Sequence, residues 1–106
     1  MRIEALKFKN GDKTEIAIYV LLCDSHTKNV EWKIDDIWYR PYRKKNWVSY
    51  RSELSDSYEY RHLAYEDRTK YLNKKYEEFI GKDMLEKAYI AAWESLKPDI
   101  EELLNN

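Results

Sequence analysis

A two-layer α+β fold, in which an antiparallel β-meander of three to four strands packs against two C-terminal helices, follows from three features of this 106-residue chain. Apolar residues alternate with polar ones through the first half, they recur at helical spacing through the second, and short turn sequences separate the runs. The length suits one core, so residues 1–106 read as a single domain, with the meander in 1–54 and the helical pair in 55–106.

The first strand runs from Ile3 to Lys9, Asn10-Gly11-Asp12 turns the chain, and the second strand runs from Thr14 to Cys23. A three-residue loop sets Lys7 opposite Glu15 and Leu6 opposite Ile16, so Leu6 and Phe8 share a face with Ile16, Ile18, Val20 and Leu22. After a loop at Asp24 to Lys28, Val30 to Asp35 forms a third strand that aligns Val20 with Trp32 and Ile18 with Ile34. The alternation fails at Asp35-Asp36, where Ile37 follows out of phase, which predicts a bulge or a strand end. Trp47 to Arg51 offers a fourth strand beyond the Pro41-to-Asn46 loop.

The helical half opens on Asp56, with Glu59 three residues later as a capping box, and Gly81 supplies a stop. Tyr65, Leu72, Tyr76, Phe79 and Ile80 fall near one face of the first helix. Leu85, Ala88, Tyr89, Ala92, Trp93 and Leu96 mark the second, which Pro98 is expected to end or kink. The short Gly81-Lys82 connection makes the two helices antiparallel neighbours that cover the apolar side of the sheet.

Composition narrows the function. No apolar run approaches a membrane span and the N-terminus lacks a signal-peptide core, so no membrane association is expected. A lone cysteine, Cys23, cannot form an internal disulfide and points to a reducing, cytoplasmic setting. The net charge is -1, yet residues 38–51 (WYRPYRKKNWVSYR) hold five aromatic and five basic side chains and no acid. The other residues therefore carry -6, and any phosphate contact is confined to this segment rather than spread over the surface. Here Arg40, Arg43, Lys44, Lys45 and Arg51 are suited to phosphates or an acidic protein patch, and Trp38, Tyr39, Tyr42, Trp47 and Tyr50 to stacking or anchoring. A hairpin with its aromatics turned inward and its bases solvated satisfies the same alternation, with Trp47 the first candidate for the core.

Asp24, Glu31 and Lys33 sit across the hairpin of the second and third strands in a pattern similar to that of the PD-(D/E)xK nucleases. That resemblance implies two carboxylates on a divalent metal and a lysine that positions or activates water. It spans about ten residues, and Cys23 stands where the family has proline. His26 and His62 are dispersed, which leaves no zinc motif, and no nucleophile elbow or glycine-rich phosphate loop occurs.

The sequence thus predicts a non-enzymatic binding protein without cofactor or metal, whose 38–51 segment meets nucleic acid or a protein that handles it. A third reading is a homo-oligomer, because Tyr58, Tyr60, Tyr65, Tyr71 and Tyr76 cannot all enter one core from a single helix and some must be exposed or paired. Size, localised charge and a composition rich in Lys, Asn and Tyr are similar to those of phage or mobile-element accessory proteins, anti-defence inhibitors included.

Overall fold

Strands β1 (Arg2–Lys9), β2 (Glu15–Asp24) and β3 (Val30–Arg40) alternate their side chains between two sides, with an irregularity in β1 and a bulge in β3 that reset the alternation, and burying the apolar sides together makes the sheet. A two-residue strand, β4 (Val48–Ser49), completes the antiparallel order β1-β2-β3-β4. This computed structural model describes residues 1–24 and 30–105, with side chains over 1–23 and 31–95. Helices follow as α1 (Tyr50–Ser55), α2 (Tyr58–Arg61), α3 (Tyr65–Ile80) and α4 (Lys82–Asn105). The four-stranded antiparallel sheet with C-terminal helices is the α+β architecture that the sequence predicts.

The core lies on one face of β2. Ile16, Ile18 and Val20 have no exposed surface, and each such burial is worth about 1.5–3 kcal/mol relative to solvent. Ile37 and Trp32 join them from β3, Leu54 from α1, Leu72 and Tyr76 from α3, and Ala88 and Ala92 from α4. α4 packs on β1 and β2, and its two fully buried alanines leave nothing beyond Cβ to hold the helix off the sheet. Trp93 meets Trp32 edge-on at 6.0 Å.

Between each turn and the next bulge both predicted registers shift by two residues; past the irregularity at Ala5 the first is displaced by one, and past Asp35 the second by three. Phe8 pairs with Ile16 and Leu6 with Ile18, and on the other side Leu22 pairs with Trp32 and Val20 with Ile34. The first shift comes from a longer turn. The Asn10 N–H donates to the Thr14 carbonyl and the Lys13 N–H to the Asn10 carbonyl, both at 2.9 Å, and Lys13 takes a left-handed backbone with φ 67°. Each strand keeps its buried face, because side-chain direction repeats every two residues.

The break in alternation at Asp35-Asp36 is a bulge and β3 continues through it. Val20 faces Ile34 but Tyr19 faces Asp36, which leaves Asp35 as the extra residue. Ile34 and Ile37 therefore both reach the core. Asp36 is the buried charge of this region. Its Oδ1 accepts from the Ile37 N–H (2.7 Å) and the Arg51 N–H (3.0 Å), and its Oδ2 from the Ser49 hydroxyl (2.6 Å). Ser49 in turn accepts from the Ser52 N–H as N-cap of α1.

The helical half departs from expectation in four places. Helix begins at Tyr50, where a fourth strand running to Arg51 is predicted, because Ser49 caps a turn there. The cap of α2 is Ser57 rather than Asp56, which closes α1 instead. Tyr65 is 84 % exposed at the solvated start of α3. α4 runs through Pro98 to Asn105, since one proline removes one helical hydrogen bond and the flanking turns persist. Gly81 does stop α3, and its φ of 87° is the left-handed value that glycine takes freely.

Asp36→Ala strands a buried hydroxyl and two N–H groups. It is expected to lower stability by about 2–3 kcal/mol, read as a lower urea midpoint with an unchanged slope.

Candidate functional site

Residues 38–51 separate into two populations. Those of the first turn inward: the Tyr39 ring lies 5.5 Å from Phe79 and 6.4 Å from Tyr50, and Tyr50 stacks on Phe79 at 4.6 Å. The Tyr39 hydroxyl donates to Glu53, and this bond together with burial pushes its pKa up to about 12. Burial also raises Tyr50 and, more strongly, Tyr76. Arg51 is held by Asp35 at 3.0 Å, beside Arg2 at 2.8 Å on the same carboxylate.

The second population faces away from the helices. Ala17 points opposite to Ile16 and Ile18, between Lys7 on β1 and Trp38 on β3. Around it Arg2, Glu4, Lys7, Tyr19, Trp38 and Trp47 form an open cleft of about 350 Å³, and among the described residues no helical one lines it. The Arg2 guanidinium lies 4.6 Å from the Tyr19 ring centre, and Trp47 has Lys7 at 5.2 Å and Arg40 at 5.7 Å. Arg40 also pairs with Glu15, which holds that carboxyl below its usual pKa.

An antiparallel meander brings the β1–β2 turn and the β3–β4 loop to the same end of the sheet, and there the strip continues. Lys9, Lys13, Glu15, Arg40, Tyr42, Arg43 and Lys44 border a second cleft of about 240 Å³. Tyr42 is 48 % exposed, with Lys13 4.7 Å and Arg43 5.1 Å from its ring centre. Arg43, like Lys13, holds a left-handed backbone (φ 65°), third in the turn that the Lys44 N–H closes on the Pro41 carbonyl at 3.0 Å. For L residues this conformation costs about 1–2 kcal/mol. Among the described residues, Lys7, Lys9, Lys13, Arg43, Lys44 and Lys45 form no ion pair. Arg2, Lys7, Lys9, Lys13, Glu4, Ala17 and Tyr19 lie outside the 38–51 segment, and the outward positions of β1 and β2 are the signal that would have found them.

The other candidates lie apart. Glu31 and Lys33 pair with each other at 3.4 Å on the exposed side of β3, while the side chains of Asp24 and His26 lie outside the described residues. Among the described residues no three His, Cys, Asp or Glu side chains cluster for a metal. His62 stacks on Tyr58 at 3.7 Å. Of the helical tyrosines Tyr76 is buried, Tyr60 and Tyr71 pack against the core, and Tyr58 and Tyr65 are exposed. Among the described residues no helix is long and apolar enough to cross a membrane. Compared with family models, curated proteins and solved structures, the chain matches none.

Two outcomes test this geometry. A phenol whose folded pKa is raised stabilises fully below its unfolded value near pH 10, roughly the reference for tyrosine. That contribution is lost as pH rises through the folded value, about 12 for Tyr39. Alkaline unfolding followed by circular dichroism should therefore begin above about pH 10 and move to higher pH in Tyr76→Phe. Arg43→Gly removes the left-handed strain and should raise stability by about 0.5–1 kcal/mol, measured as a higher Tm, while removing a cation from the strip.

Proposed function

We propose that the protein binds single-stranded nucleic acid along the helix-free face of its sheet, without catalysing a reaction on it. The observation that carries this reading is the alternation of cations and aromatic rings from Arg2 and Tyr19, through Lys7, Trp47 and Arg40, to Arg43, Tyr42 and Lys13. Stacking platforms interleaved with phosphate-seeking side chains are what a sequence-tolerant single-strand surface needs. Six cations without an ion pair among the described residues supply the charge, Lys7 and Lys9 from β1 and Lys13, Arg43, Lys44 and Lys45 from the two turns at one end of the sheet. Trp38, Arg40, Tyr42, Arg43, Lys44, Lys45 and Trp47 take part directly; Tyr39, Tyr50 and Arg51 support the strip from below and beside it.

A cytoplasmic location and an accessory role for a phage or mobile element belong to the same reading, supported by the lone Cys23 and the composition. A homodimer through Tyr58 and Tyr65 is compatible with it, because both lie on helices away from the strip.

Anisotropy titration of labelled single- and double-stranded DNA and RNA at two salt concentrations tests the proposal. Single strands should bind with a log–log salt slope that decreases by about 0.7 for each phosphate contact removed, as in Arg43→Ala or Lys44→Ala. Absence of binding at low salt would overturn it in favour of protein docking, in which truncation of one aromatic removes most of the affinity.

A further inference from the structure

We infer that the cleft over Ala17 accepts one unstacked guanine from the bound strand, an inference that rests on the single-strand reading above. The floor is a methyl group on the central strand, with its flanking rungs occupied by Lys7 and Trp38. Any longer side chain at position 17 would fill the space. The walls are aromatic, from Trp38, Trp47 and Tyr19, and the volume of about 350 Å³ suits a small planar ligand.

The polar chemistry of the cleft is selective. Glu4 is the carboxylate of the lining, and among the described residues it forms no ion pair although Arg2 and Lys7 line the same cleft. Both cations are directed elsewhere: Arg2 to Asp35 at 2.8 Å and to the Tyr19 ring, Lys7 to the Trp47 ring. The Tyr19 hydroxyl lies 3.5 Å from Glu4 Oε2, a long contact that leaves lone pairs on both oxygens. An ionised carboxylate only accepts hydrogen bonds. Guanine is the base whose pairing edge offers two adjacent donors, N1–H and the N2 amine. Adenine and cytosine set one amine beside an acceptor nitrogen, and thymine and uracil set one N–H between two carbonyls. Guanine alone therefore matches both oxygens without opposing lone pairs. That edge is free only in an unpaired base, so the same contact favours single strands over duplex.

The test uses oligothymidine and oligouridine probes of about eight nucleotides, within the footprint of single-strand-binding folds. Each carries one central guanine, inosine, adenine or cytosine. The guanine probe should bind about tenfold tighter than the unsubstituted one, at the lower end of bidentate discrimination. Inosine, which lacks the N2 amine, should lose most of that gain. Glu4→Gln should bring all probes within about twofold of each other while raising affinity for the unsubstituted strand, because a negative charge leaves a cationic strip. Ala17→Leu should abolish the preference yet keep salt-sensitive binding, with its Tm checked to confirm folding. Equal affinity for every probe, or a preference that survives Glu4→Gln, would overturn the guanine inference and leave the strip standing. Failure of all probes to bind at low salt would overturn both.

Discussion

The carboxylate of Asp36 joins the three parts of the molecule on which everything else depends. It sits at the β3 bulge, accepts the Ser49 hydroxyl from β4, and accepts the Arg51 N–H from the first turn of α1. Ser49 relays the contact to Ser52 and so starts the helical layer. Asp35, its neighbour, gathers Arg2 from β1 and Arg51 from α1 on one carboxylate. Two adjacent acids thus fasten sheet to helix at a bulge, where the alternation of β3 is interrupted. Buried and bonded at both oxygens, Asp36 converts an irregularity into a fixed joint.

The bulge also decides which side chains face the open side. Without the extra residue, Trp38 and Arg40 would point into the core and Tyr39 toward solvent, since a one-residue slip inverts every position beyond it. With it, Tyr39 packs on Phe79 and Tyr50, and Trp38 joins Trp47 around Ala17. The candidate site therefore follows from the bulge as much as from the loop that carries most of its charge.

Much of this was legible in the residues. Ile37 falling out of phase signals the bulge, the apolar alternation assigns the buried face of β2, and WYRPYRKKNWVSYR signals an unusual surface. Register was not legible, because a shift of two residues preserves every face, and the size of the first turn rests on a left-handed Lys13 that no propensity favours. The start of α1 was hidden because Trp47 to Arg51 has strand-forming composition while a single serine cap decides the outcome. Half of the candidate site was missed for a similar reason. Arg2, Glu4, Lys7 and Tyr19 are distant in sequence from Trp47, and the pairing of β1 with β2 and of β2 with β3 brings them together.

Both turns that hold unpaired cations among the described residues lie at one end of the sheet, whereas residues 52–95 of the helical half carry seven basic and ten acidic side chains. A molecule with a net charge of only -1 is thereby strongly polarised. Such a molecule has a permanent electric dipole, and an approaching polyanion exerts a torque on it before any contact forms. The rotation presents the turn end first, so encounters are sorted by orientation as well as by frequency. The effect fades once ions screen distances beyond roughly 8–10 Å.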